Sequence, residues 1–185
     1  DFYNAGNEKF ENKDYIAAYS LADEAYKKAV KAKEDSIDNK DQLRVKIDEV
    51  NSTLSRVAKY SYKDFAEQKY NVAKEKSNKA SEDYNNDLVK SGFESVEIAK
   101  INADEAYKLT MNGTAEKKIA EAEKSVREAA KSEGAGYAGE DMAAAKEALE
   151  NAKKMKNSGN YNESITYSNE AIRLSNSVIS EGQKA

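Results

Sequence analysis

The side chains that most often do chemistry are missing from this chain. Its 185 residues include no histidine and no cysteine, which removes imidazole bases, thiolate nucleophiles and the usual zinc ligands. Metal binding would then rest on oxygen alone. The acid pairs Glu94 with Glu97 and Glu121 with Glu123 could offer oxygens to Ca²⁺. That ion needs six or more of them gathered on a loop, and no Asp-rich loop of the EF-hand pattern occurs. These acids therefore read as solvated helix faces. As an acid and base pair they would need a cleft on a rigid scaffold, and thin helical bundles offer few. The cluster Gly134-Ala135-Gly136-Tyr137-Ala138-Gly139 has the glycine content of a phosphate loop, but it lacks a preceding strand and a Gly-Lys-Ser/Thr ending, so it reads as an inter-helix turn. No catalytic residue, metal or cofactor is expected, and the chain is not expected to be an enzyme.

The twelve tyrosines point to contacts instead, because tyrosine joins an apolar ring to a polar tip and is common at binding hot spots. Tyr15, Tyr26, Tyr107 and Tyr161 fall on a recurring apolar face and are expected in the core. Tyr60, Tyr62, Phe65 and Tyr70 crowd one helix junction more densely than a single packing seam needs. They are a candidate protein-interaction surface.

Helices must carry these side chains. Proline is absent and glycine occurs eight times, so few positions interrupt helical hydrogen bonding. Apolar and alanine residues recur three and four apart, as in Tyr15, Ala18, Tyr19, Ala22, Ala25, Tyr26 and Ala29, while no segment alternates long enough to form a strand. Breaks are expected at 12–14, 35–41, 60–62, 90–92, 132–139 and 157–160, each rich in Asn, Asp, Ser or Gly. The expected fold is an all-α, elongated bundle of seven or eight helices in hairpins and three-helix units, with a thin alanine-rich core.

A net charge of −4 argues against nucleic acid, which calls for surplus Lys and Arg. No run approaches the ~20 apolar residues of a membrane span. Lack of cysteine leaves the redox compartment open. A start inside a helix, without a signal peptide, reads as a mature or trimmed fragment.

Internal repetition organises the chain. Asp14-Tyr15-Ile16-Ala17-Ala18-Tyr19-Ser20-Leu21-Ala22-Asp23-Glu24-Ala25-Tyr26 recurs without gaps from Asn160-Tyr161 to Glu170-Ala171-Ile172. A third copy ends in Ala103-Asp104-Glu105-Ala106-Tyr107, preceded by Gly92-Phe93 with about three extra residues between. A further helix precedes each of the last two hairpins, over 43–59 and 115–131. The expected organisation is a partial hairpin over 1–38 and three-helix units over 39–111 and 112–185. The interval from Glu105 to Ile119 is nearly four whole turns, so a single helix could cross Asn112-Gly113, although that pair is also a break signal. The interval from Glu24 to Ile47 is not a whole number of turns, which predicts a break near 35–41.

Two resemblances follow. Phe2-Tyr3-Asn4-Ala5-Gly6-Asn7, Phe10, Lys13-Asp14-Tyr15-Ile16-Ala17-Ala18 and Ala25 resemble a tetratricopeptide repeat, although successive copies here are separated by roughly two of that family's repeat lengths or more. The resemblance implies that Tyr3, Asn7 and Phe10 line a groove on the first helix. Ala115-Glu116, Ile119-Ala120-Glu121-Ala122, Gly136-Tyr137, 143–148, Gly159-Asn160-Tyr161 and Glu170-Ala171 are similar to helical repeats of bacterial envelope lipoproteins and periplasmic proteins. The richness in Lys, Asn, Tyr and Ser suggests a low-GC genome. Together these features resemble spirochaetal periplasmic proteins in which such a region, spectrin-like in its hairpins, precedes a LysM domain. No LysM pattern is present, so peptidoglycan would be reached only through a domain outside this chain. The resemblance implies a periplasmic or outer-membrane-associated scaffold. It would bind another envelope protein and serve cell division or outer-membrane integrity, without inserting in the membrane. The alternative is a rigid helical spacer that holds a separate terminal domain.

Overall fold

Without proline, backbone amides can donate along the whole chain, and most of them do so in helices. A computed structural model describes residues 2–183, as seven α-helices and one 3₁₀ turn, with no strand among the described residues. The outermost residues of the expected end segments, 1, 184 and 185, lie outside that range. The helices are α1 (Phe2–Glu11), α2 (Tyr15–Val57), α3 (Tyr62–Phe65), α4 (Glu67–Asn85), α5 (Val89–Lys131), α6 (Gly139–Asn157) and α7 (Tyr161–Gly182), with the 3₁₀ turn at Glu133–Gly136. The chain is all-α. It divides into two compact units, Asp1–Glu49 with Lys76–Glu97, and Val50–Glu75 with Ile98–Ala185. The expected divisions after residues 38 and 111 fall inside α2 and α5, which are each 43 residues long.

Two expected breaks need correction. The break at 35–41 does not occur, because residues 26–39 are exposed on every face. A phase mismatch forces a break only when both ends must stay packed through the interval, and here no face is held in between. The break expected at 90–92 lies at 86–88 instead. Gly92 sits within α5, where its missing side chain admits Leu43. One break is unforeseen, at Ala66 between α3 and α4.

Three hairpins close with the same turn. Lys13, Asp87 and Gly159 take positive φ (63°, 59° and 79°), and the next amide bonds back across the turn: Asp14 to the Lys9 carbonyl, Leu88 to Asp83 and Asn160 to Met155. This is the Schellman end, which suits glycine best at its left-handed position. Measured from these turns, Glu24 and Glu170 each lie about three helical turns on, but Glu105 lies about five on. The middle copy thus carries nearly two extra turns, not the few extra residues expected. Two turns keep the same face inward, whereas a three-residue insertion would have rotated it by about 60°.

Beside the turns of the first and third hairpins small residues face each other across the hairpin. In the first unit these are Gly6 with Ala18, both buried, where a Cβ on Gly6 would rest 3.7 Å from the Ala18 carbonyl. In the second unit Ser164 Oγ donates to the Ala152 carbonyl at 2.8 Å. Small side chains let each pair of helices approach closely.

In the first unit Leu43, fully buried, fills the notch left by Gly92. Beside it the buried Asp83 carboxylate accepts from Lys79 Nζ at 2.6 Å and Ser91 Oγ at 2.8 Å. Those hydrogen bonds, Lys79's first, hold its pKa below the ordinary carboxylate value. Lys40 pairs with Asp87 and Lys46 with Glu97, both at 2.5 Å.

The second unit has a core of Ala122, Val126 and Ala129 from α5, Met142, Ala145 and Leu149 from α6, and Ala171, Leu174 and Val178 from α7. Lys153 pairs with Glu123 (3.1 Å) and Lys156 with Glu116 (2.6 Å), joining α6 to α5. A second cluster gathers Val57, Ala66 and Ala106 under Tyr62, Tyr70 and Tyr107. Thr110 is fully buried and its hydroxyl lacks a hydrogen-bond partner among the described residues. Replacing it with an isosteric apolar group removes that cost, so Thr110→Val is expected to stabilise the protein by about 1 kcal/mol. Urea unfolding would show a higher midpoint at unchanged slope; a lower midpoint would contradict the assignment.

A candidate protein-interaction groove on the first hairpin

α1 and the start of α2 enclose a groove of about 380 Å³ lined by Phe2, Tyr3, Gly6, Asn7, Phe10, Tyr15, Ala18, Tyr19 and Ala22. The hairpin turn sets this geometry. It brings α1 back along α2 so that Gly6 meets Ala18 at the floor and larger rings stand at the rim. Tyr3, Phe10 and Tyr19 are 68%, 62% and 76% exposed. Phe10 and Tyr15 meet edge to face at 5.5 Å between centroids, and the Lys28 ammonium lies 3.8 Å above the Phe2 ring. Asn7 adds the one amide of the lining, among rings, phenols and small apolar groups. Such a surface buries apolar area and accepts a few hydrogen bonds, which is the chemistry of adhesion.

All three residues implied by the tetratricopeptide resemblance, Tyr3, Asn7 and Phe10, line this groove. The other candidates belong to the second unit. Tyr62 stacks on Tyr70 at 4.0 Å between centroids, and both pack on the cluster around Val57. Burial, and then Tyr62, raises the pKa of Tyr70 above the ordinary phenol value. Phe65 lies against Gly113 of α5 and beneath the Lys117 ammonium, 4.8 Å from its ring. Lys117 in turn pairs with Asp64 at 2.7 Å. Tyr62, Phe65 and Tyr70 are half-buried in these intramolecular contacts, which leaves Tyr60 as the exposed member.

Tyr15 and Tyr26, expected in the core, are 57% and 68% exposed. Their counterparts Tyr107 and Tyr161 are half-buried because α4 or α5 packs beside them. Sequence reasoning also missed Phe2 and Tyr19 as groove residues. Counting helices offered a signal: the copy at 14–26 has one helix before it, and the other copies have two.

The acids considered for Ca²⁺ are largely engaged in ion pairs, Glu97 with Lys46, Glu121 with Lys118 and Glu123 with Lys153. Among the described residues no group of three or more His, Cys, Asp or Glu side chains is arranged to hold a metal ion. No helix among them is long and apolar enough to cross a membrane. Of the glycine cluster only Gly134 serves packing, since a side chain there would run into the Val178 carbonyl of α7, whereas Gly136 and Gly139 stand in open space. No protein-family model, no curated protein and no solved structure matches this chain.

Proposed function

We propose that this chain is a non-catalytic scaffold that binds a protein partner through the groove of its first hairpin. The observation that carries this reading is the ring of exposed aromatics, Tyr3, Phe10, Tyr15 and Tyr19, around a floor of small residues. Aromatic anchors of this kind dominate binding energy at interfaces while their neighbours exclude water. Placement in the periplasm or at the outer membrane, and a role in cell division or membrane integrity, rest on the resemblance of 115–180 to envelope helical repeats.

Tyr19 is exposed, so Tyr19→Ser should leave stability within about 0.5 kcal/mol of the parent. A partner captured by the unaltered chain is expected to be held at least tenfold more weakly by that variant, a loss of about 1.4 kcal/mol or more, which exceeds what most interface residues contribute. Equal capture by both proteins would remove the groove from consideration. The spacer reading is favoured by one observation, the two unbroken 43-residue helices α2 and α5. It requires that an unrelated helical rod of equal length restore function in cells.

A further inference from the structure

We infer that the groove is the seat of a third helix, and that its occupant is a single amphipathic α-helix of a partner protein whose buried face carries no acidic residues. This deepens the partner-binding reading and rests on it. The three hairpins share one turn. The second hairpin is covered by the later part of α2, whose seam Leu43, Ile47, Val50, Leu54 and Val57 is buried at 4-3-4-3 spacing, with Leu43 seated on Gly92. The third is covered by the later part of α5, where Ala115, Ile119, Ala122, Val126 and Ala129 keep the same spacing, Ile119 being half-buried. On the first hairpin no described helix occupies that place.

Equivalent positions of the first and third hairpins, aligned on their turns at Lys13 and Gly159, show the difference. Tyr3 is 68% exposed where Leu149 is 8% exposed, and Ala22 is exposed where Ser168 is fully buried. Two further counterparts locate the seat. In the third hairpin Lys153 and Lys156 point at the covering helix, since they pair with Glu123 and Glu116 of α5. Their equivalents are Asn7 and Phe10, both lining the groove. The groove therefore lies where α5 lies on the third hairpin.

The same two positions state what the occupant must be. α5 meets lysines and answers with glutamates; the first hairpin presents an amide and a phenyl ring instead. A glutamate facing Phe10 would lose water and gain no partner. A leucine there would bury apolar area against Tyr3, Phe10 and Tyr19. The fitting helix thus keeps the 4-3-4-3 seam and carries aliphatic residues where α5 has Glu116 and Glu123.

The test uses the whole chain and two synthetic peptides spanning 113–131, one unaltered and one with Glu116→Leu and Glu123→Leu. Titration followed by amide chemical shifts is expected to show the altered peptide binding at least tenfold more tightly, with the largest shifts at Tyr3, Phe10 and Tyr19. Equal binding of both peptides, shifts elsewhere, or no binding at millimolar peptide would overturn the helix assignment. So would sedimentation that shows a concentration-dependent dimer whose contacts map to the groove, because a second copy would then be the occupant. If the peptides fail while Tyr19→Ser still abolishes partner capture, the helix inference falls and the partner-binding function stands.

Discussion

Leu43→Ala is expected to destabilise the protein by about 2–5 kcal/mol, the cost of deleting a fully buried leucine and leaving part of its cavity open. Leu43 has no exposed surface, and a Cβ built on Gly92 would stand 2.5 Å from its Cδ2 and 3.5 Å from Asp83 Cβ. The leucine and the glycine are thus two halves of one contact. Gly92→Ala alone brings the helix-propensity gain of about 1 kcal/mol against displacement of the leucine tip. In the Leu43→Ala background the displaced group is gone, so the added methyl occupies space the leucine has vacated. The double variant is therefore expected to be more stable than the two single changes summed, with a coupling of about 0.5–3 kcal/mol. Urea unfolding of the four proteins measures it. Strict additivity would mean that Leu43 and Gly92 do not share the space described.

That contact also shows why some of the fold was legible and some was not. The period of alanines and tyrosines gave helices and hairpins, because burial in a helix leaves a mark every three or four residues. The turns were legible at Lys13 and Gly159, where Asn, Asp or Gly stands beside the left-handed residue. Around Gly92 the same vocabulary misled. A glycine can mark a helix end or a place where another chain segment comes close, and only the packing of Leu43 distinguishes them. The uninterrupted run of α2 through 35–41 was illegible for a related reason. Phase constrains a helix only where both ends are packed, and residues 29–39 stay exposed all round.

The groove was half legible. Tyr3, Asn7 and Phe10 are legible only through a resemblance, whereas periodicity puts Tyr15 in the core because its face repeats in Tyr161. Periodicity reports which face of a helix is apolar and is silent about what covers it. The same stripe is buried in the third hairpin by α5 and left open in the first. The dense cluster at Tyr60, Tyr62, Phe65 and Tyr70 has the opposite history. Its density arises because α3 is four residues long and the rings of Tyr62, Phe65 and Tyr70 turn inward, onto Val57 and Ala106 and onto Gly113, while Tyr60 stays exposed.

Gly113 tests that last point by a change of sign. In an exposed helix interior Gly→Ala stabilises by about 1 kcal/mol, because alanine gives up less backbone entropy on folding. Gly113 is buried in the middle of α5, and a Cβ there would overlap the Phe65 ring. The ring has little room to withdraw, with Lys117 above it and α3 held between its turn at Tyr60 and the break at Ala66. Gly113→Ala is therefore expected to destabilise by about 1–3 kcal/mol, the usual cost of overpacking. In a Phe65→Ala background the obstacle is absent, and the same substitution is expected to stabilise by about 1 kcal/mol, its helix-propensity value. Thermal or urea unfolding in both backgrounds decides the matter. A gain in both would show that Phe65 does not rest on Gly113, and a loss in both would place the strain in the α5 backbone. The reversal is what distinguishes a glycine kept to seat an aromatic ring from one kept to end a helix.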